Sequence, residues 1–305
     1  MTRFDVIGFG ALNVDTLLKV DKIACAEEES FIEDYTEACG GSAANAMVGL
    51  ARLGCKVGFI GKVANDREGN LQIDCFKTEG VDTSGIIQAQ KGKSGSVLGF
   101  VDKKGARALY INSGVNDTIE PREMKWDYVS QTKFLHLSSF AGEKSFRTQK
   151  KLLGTLPSDV KISFDPGSVY AQKGFAAIEP LIRSSYVMMP NALELELLTG
   201  EPDYPEGAAR LIEASVKIVA VKLGSKGCYV TDGQERRTIE PFKVKVVDTT
   251  GAGDAFDAGF LYGLINGKSL SECGRLGNFV ASRSVTAMGA RAGLPYAKDL
   301  ASVSL

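Results

Sequence analysis

One histidine and one tryptophan are all that 305 residues hold of those two side chains. A single imidazole, His136, excludes two-His metal sites, and any Ser-His-Asp triad would have to use that one ring. It lies in Phe134-Leu135-His136-Leu137, an apolar strand-like run, so a partly buried structural role is expected. Cys25, Cys39, Cys55, Cys75, Cys228 and Cys273 are scattered without a C-x-x-C pair. That excludes a disulfide framework and points to reduced thiols in a cytosol. Long apolar runs are missing: none approaches ~18 residues, and Asp5 interrupts the apolar start, so neither export nor membrane insertion is expected. Charge of one sign is also absent. With 36 basic and 37 acidic residues, net −1, nothing favours nucleic acid or an anionic membrane as a partner. What remains, 44% hydrophobic and 24% charged, is a globular composition suited to a cytoplasmic protein acting on small ligands.

What is present is an alternation. Short apolar runs stand at Asp5 to Phe9, Lys56 to Gly61, Lys133 to Leu137, Lys161 to Phe164, Tyr186 to Met189 and Lys217 to Lys222. Between them come helix-period runs at Ser42 to Leu53, Arg67 to Glu79, Lys144 to Leu153, Ala192 to Leu198 and Glu206 to Ser215. This is the pattern of βαβ units around a mostly parallel sheet. Gly54, Gly80 and Gly200 stand where helices end. Two segments break the rhythm. Leu17 to Tyr35 is charged and loosely alternating, and Ser94 to Asn112 reads as a hairpin with strands Ser96 to Val101 and Ala106 to Ile111 around Asp102-Lys103-Lys104-Gly105. Together they are expected to form a small sheet over one end of the main one, a lid; two unrelated surface excursions are the alternative.

Two of three glycine patterns fail. Gly8-x-Gly10 follows a strand, but the third glycine of a dinucleotide fingerprint is replaced by Asn13, which weakens a Rossmann oxidoreductase. Gly267-Lys268-Ser269 and Gly92-Lys93-Ser94 lack the leading glycine of a Walker A loop, since Tyr262 and Ile87 stand there. The third pattern is Val247-Asp248-Thr249-Thr250-Gly251-Ala252-Gly253-Asp254-Ala255-Phe256-Asp257-Ala258-Gly259-Phe260. A strand from Lys243 to Val247 is expected to run into a helix lasting to about Ile265. The N–H groups of Gly251, Ala252 and Gly253 would then be among its unsatisfied first-turn donors, an anion hole. An acid inside such a hole, Asp254, is best used as a proton acceptor beside a bound phosphoryl group.

This segment resembles the carboxy-terminal signature of the ribokinase-like, or PfkB-family, carbohydrate kinases. Cys39-Gly40-Gly41-Ser42-Ala43-Ala44-Asn45-Ala46 looks like the family's amino-terminal signature, and Gly10-Ala11-Leu12-Asn13-Val14-Asp15 like its strand-one substrate motif. Asn191-Ala192-Leu193-Glu194 looks like its N-x-x-E motif, and Lys222-Leu223-Gly224-Ser225-Lys226-Gly227 like its nucleotide loop. Each motif also has its own chemistry. Asn13 and Asp15 stand where an open α/β sheet binds ligands and suit vicinal hydroxyls. Gly40 and Gly41 let backbone approach a sugar ring before a helix capped by Ser42, with Asn45 facing the ring. Glu194 with Asn191 would hold Mg²⁺ through water. An Asx turn, a plain cap and an ordinary capping pair are the respective alternatives.

The resemblance covers nearly the whole chain. It implies one α/β domain over residues 1–305: a three-layer, doubly wound, mostly parallel sheet with a lid from insertions at about 16–36 and 94–113. It implies transfer of the ATP γ-phosphoryl group to a hydroxyl, with Asp254 as base and Gly251, Ala252 and Gly253 holding the developing charge. Lys222, Gly224, Gly227 and Asn278 would serve the nucleotide. Some relatives bind K⁺ near the anion hole, which makes Asp248 a candidate ligand, and lids pair between subunits in the family, which implies a homodimer. The acceptor is a small sugar or sugar derivative. A nucleoside is the alternative, with Phe100, Tyr110 and Phe140 as candidates for a base pocket, and a catalytically silent binding protein is the second. Ser138 and Ser139 stand where many ribokinases carry a glutamate.

Overall fold

Apolar runs too short for helices become strands in the computed structural model, which describes residues 3–103 and 106–302. In chain order they are β1 (Phe4–Phe9), β2 (Asn13–Val20), β3 (Ile32–Gly40), β4 (Val57–Ala64), β5 (Ile86–Ala89), β6 (Gly95–Val101) and β7 (Arg107–Asn112). There follow β8 (Thr132–Leu137), β9 (Lys161–Phe164), β10 (Ser185–Met188), β11 (Ile218–Lys222), β12 (Cys228–Thr231) and β13 (Arg236–Ile239). The α-helices are α1 (Ser42–Arg52), α2 (Arg67–Thr78), α3 (Trp126–Val129), α4 (Glu143–Leu153), α5 (Gly167–Ala171), α6 (Phe175–Ser184), α7 (Ala192–Thr199), α8 (Tyr204–Glu213), α9 (Ala252–Ile265) and α10 (Leu270–Ser284).

Nine strands form one sheet in the order β13-β12-β11-β10-β9-β8-β1-β4-β5, parallel from β11 to β5 and antiparallel only across β12 and β13. Such a sheet is covered on both faces, and β1 illustrates how. Val6 enters a core with Met47 of α1 and Phe260 of α9, while its neighbours Ile7 and Phe9 enter a second core with Phe146 of α4 and Ile182 of α6. The fold is the expected α/β architecture of three layers. His136, wholly buried on β8, bonds Ser163 through Nδ1 at 3.0 Å, and burial holds its pKa down at about 4, so it is neutral at pH 7. Among the described residues no helix is long and apolar enough to cross a membrane.

The second sheet has the order β3-β2-β6-β7 and joins the two segments that broke the βαβ rhythm. It is larger than expected: β2 starts at Asn13 and β3 reaches Gly40, so residues assigned to the substrate are the lid's own roots. Lys104 and Gly105 of the hairpin turn lie outside the described residues. One other element differs. Lys243 to Val247, expected as a strand, has no ladder: β13 is the outermost strand of the sheet, and this segment does not pair with its free edge. Its end is fastened instead by the Val247 and Asp248 N–H groups, which donate to the Val285 carbonyl after α10 at 2.8 and 3.3 Å.

Candidate active site

Two helices from distant parts of the chain meet at the carboxyl end of β1. α1 and α9 approach closely because Gly49 faces Ala258, whose Cβ would stand 2.8 Å from one placed on Gly49. That contact carries the first turn of α1 to the first turn of α9. Ser42 Oγ donates to Asp254 Oδ1 at 2.7 Å, and Asn45 Nδ2 donates to Asp254 Oδ2 at 2.8 Å. Two roles therefore change. The cap of α1 is Gly41, and Ser42 lies within the helix with its hydroxyl given to Asp254. Asn45, expected to face a sugar, spends its amide on Asp254 and on Arg291, whose Nε donates to Asn45 Oδ1 at 2.8 Å. Burial lifts Asp254 to about 6, against the pull of these two donors.

Gly251 caps α9 with φ +74, a left-handed conformation that favours glycine, and Ala290 leaves no room for a side chain there. The amides do not all match expectation. Ala252 N donates to Thr249 O at 3.2 Å as the turn closes, so it is not an open donor. Among the described residues the N–H groups of Gly251, Gly253 and Asp254 have no acceptor. Asp248 accepts from Thr250 N at 3.0 Å, Thr250 Oγ1 at 2.8 Å and Gly289 N at 2.8 Å, tying the loop before α9 to the one after α10.

Asp15 on β2 faces the same space. It touches Gly40, where a Cβ would stand 2.3 Å from Asp15 Oδ2, and Gly41 beyond it has φ +108 against the Ala11 carbonyl. Burial raises Asp15 to about 6, opposed by Arg291 and aided by Asp254. Asn13 Oδ1 accepts from Asn116 Nδ2 at 2.9 Å, and Gln72 of α2 donates to the carbonyls of Asn13 and Gly40. Ser138 is a spacer, its Oγ accepting from Ala43 N at 3.3 Å.

On the other side of α9 lies a cavity of about 470 Å³ lined by Lys222, Gly224, Gly227, Phe242, Gly253 and Asn278. Asn278 Nδ2 donates to the carbonyls of Ile239 and Glu240 at 3.0 and 3.1 Å, so its amide holds the wall. Lys222 contributes more than a loop. Its Nζ bonds Asp165 at 2.9 Å and Asp257 at 3.3 Å, both buried, and these carboxylates hold the ammonium above its usual range despite burial. Asn191 and Glu194 form the reciprocal capping box of α7, Asn191 N donating to Glu194 Oε2 and Glu194 N to Asn191 Oδ1, each at 2.9 Å. Glu194 Oε1 has no protein donor among the described residues. Burial, with Asp165 nearby, raises this carboxyl.

The chain from residue 3 to 297 matches the model of the pfkB family of carbohydrate kinases. The chain belongs to the pfkB family. An uncharacterized sugar kinase of Archaeoglobus fulgidus is 46% identical over 255 residues, covering 83% of this chain and 100% of that one. A 2-dehydro-3-deoxygluconokinase of Bacillus subtilis is 31% identical, covering 89% and 88%. The structure of Arabidopsis thaliana ribokinase complexed with ribose and ATP superposes with a TM-score of 0.89 at 26% identity over 100% of both chains. This pfkB-family protein is thus a sugar kinase, a phosphotransferase of a family that uses ATP.

In this kinase the sequence reading gives no role to four residues that the fold brings to the site. Asp165 ends β9 and Asp257 lies one turn after Asp254; an acid at a strand's carboxyl end and an acid inside Ala255-Phe256-Asp257-Ala258 were the available signals. Arg291 and Asn116 gave none, for their partners lie 246 and 103 residues away. The donor set also suits a divalent cation. Asp165, Glu194, Asp254 and Asp257 cluster electrostatically around one ammonium, while among the described residues no three acids, thiols or imidazoles converge to hold a metal directly. A cation that keeps its own waters fits that arrangement.

Proposed function

We propose that this sugar kinase transfers the ATP γ-phosphoryl group to a hydroxyl of a small sugar or sugar derivative seated between the lid roots and Asp254. The observation that carries this reading is the setting of Asp254. It is a carboxylate lifted to about 6, steered by Ser42 and Asn45, next to the open amides of Gly253 and Asp254 and between the cavity and Asp15. Such a group takes the hydroxyl proton late in transfer, while the amides at the start of α9 receive the phosphoryl charge. Asn13 and Asp15 would bind hydroxyls, and the cavity would hold the nucleotide against Gly224, Gly227 and Asn278. Glu194, with Asn191 orienting it, would hold Mg²⁺ through water, and the ion supplies neutralisation of phosphate charge. Six free thiols favour a reducing cytosol as the compartment.

A sugar is preferred over a nucleoside for a geometric reason. Phe100 and Tyr110 pair edge to face, but β2 register puts them on the face of the lid opposite Asp15, and Phe140 is buried in the core. The homodimer belongs to the same proposal, since Leu109 and Ile111 stand exposed on one face of the lid and Tyr110 on the other; light scattering that finds a monomer removes it. The deciding experiment is ADP release over a panel of sugars, sugar acids and nucleosides. A sugar giving turnover that Asp254→Asn abolishes supports the reading; nucleosides alone giving turnover would overturn the acceptor class, and no turnover with any acceptor would leave a silent binder.

A further inference from the structure

The root of the lid carries a pair of thiols that the transfer reaction does not use. β3 has seven exposed residues and then two buried ones, Cys39 and Gly40, so Cys39 marks where the strand leaves the body of the protein. Across from it, α2 presents Gln72, Cys75 and Phe76, one helical face. Cys39 Sγ stands 2.7 Å from Cys75 Sγ, within about 1 Å of a disulfide bond length. Both cysteines are free, and Cys75 is partly accessible. We propose that Cys39 and Cys75 form an oxidisable dithiol which hydrogen peroxide converts to a disulfide, tethering lid strand β3 to α2 and restraining the lid.

The surroundings favour that chemistry. The Cys39 S–H donates to the Cys75 sulfur and, with the Arg291 guanidinium, draws Cys75 down to about 7 against burial, while Glu79 and Asp74 oppose the shift. A thiolate at Cys75 attacks one peroxide oxygen, the O–O bond breaks, and the departing hydroxide leaves as water with the proton the thiol released. Cys39 sulfur then attacks the Cys75 sulfenic sulfur, the S–O bond breaks, and a second water leaves with the Cys39 proton. Two thiols lose two electrons, and one peroxide becomes two waters. The crosslink would join residues 36 positions apart at the root of the lid, where Gln72 already bonds the Asn13 and Gly40 carbonyls.

The test needs no acceptor. In a Cys25→Ser background, which removes the exposed thiol, the protein is titrated with hydrogen peroxide, mapped by peptide mass, and followed by hydrogen exchange over Ile32–Gly40. The expected result is a Cys39–Cys75 linked peptide lighter by about 2 Da, with exchange of the β3 amides slowed several-fold. Dithiothreitol should reverse both, and Cys75→Ser should show neither. Separate sulfinic acids at the two positions, or thiols that stay reduced while the others oxidise, would overturn the dithiol. A linked peptide with unchanged β3 exchange would overturn the restraint.

Discussion

Asp254 and Asp257 stand one turn apart on α9 in contrasting surroundings. Asp254 is half-buried between the neutral donors of Ser42 and Asn45. Asp257 is wholly buried beside Lys222 and Asp165, and no donor reaches its Oδ2. Burial lifts both, Asp254 to about 6 and Asp257 well above the carboxylate range. The difference lies in what opposes burial. Two hydrogen bonds favour the charged form of Asp254, so it still ionises near neutral pH. Asp257 competes with Asp165 for one ammonium; Asp165 is held low and Asp257 is pushed well above the ordinary carboxylate value. One acid is therefore free to exchange a proton with a ligand, and the other is enclosed in a Lys222–Asp165–Asp257 triplet that draws it toward its neutral form.

The largest expected effects come from breaking each acid's defining feature. Asp254→Asn should lower kcat by ~10²- to 10⁴-fold, about 3–5 kcal/mol, while folding normally. Stability should move the other way. A carboxyl whose folded pKa is raised stabilises below its unfolded value near 3.8 and loses that contribution as pH rises through about 6. Asp254→Asn should thus be more stable than wild type at pH 7, by about 1–2 kcal/mol, with the gain vanishing near pH 4; thermal melts across pH check it. A neutral-pH melting point below wild type would count against this account. Lys222→Met leaves Asp165 buried without its counter-charge, at a cost of about 3–5 kcal/mol in denaturant unfolding at pH 7. The deficit should shrink toward pH 4 as Asp165 takes a proton. A deficit that does not vary with pH would mean that Lys222 acts through its alkyl stem alone.

The two acids also differed in legibility. Asp254 followed a glycine-rich turn into a helix, a local pattern whose electrostatics can be argued without coordinates. The sheet was legible for the same reason, since period-2 and helix-period runs are local; Lys161–Phe164 matches β9 residue for residue. The partners that tune Asp254 were not legible, because Ser42 and Asn45 lie more than 200 positions away and only the α1–α9 contact brings them in. The same limit hid the bonds that the Asn45 amide makes to Asp254 and Arg291. The short run at Lys243 to Val247 has the composition of a strand, but composition does not say that the amides at its end go to the Val285 carbonyl.

A smaller effect is expected from Arg291→Gln, which probes how Asp254 is steered. Arg291 Nε fixes the Asn45 amide so that Nδ2 faces Asp254, and its NH2 group bonds the Gly40 carbonyl at 3.3 Å. Without it the amide is free to rotate and withdraw a donor from the carboxylate. The acidic limb of the kcat profile should then move above that of wild type, with kcat about 10- to 100-fold lower. Asp15, Cys39, Cys75 and Glu79 also face this guanidinium, so the profile is best compared with that of Asp15→Asn. A drop in kcat with an unmoved limb would make Arg291 a packing residue only.

The smallest effect separates the two acids most sharply. If Asp257 already carries a proton, Asp257→Asn replaces a neutral donor by a neutral donor of the same shape, and an amide hydrogen can face Asp165 as the acid proton did. Stability at pH 7 should change by less than about 1 kcal/mol and kcat by a few-fold at most. The same exchange at Asp254 should remove nearly all turnover. If Asp257→Asn instead destabilises as severely as Lys222→Met, then Asp257 is ionised in the native protein, the triplet is charged, and the contrast drawn along α9 fails at its buried end.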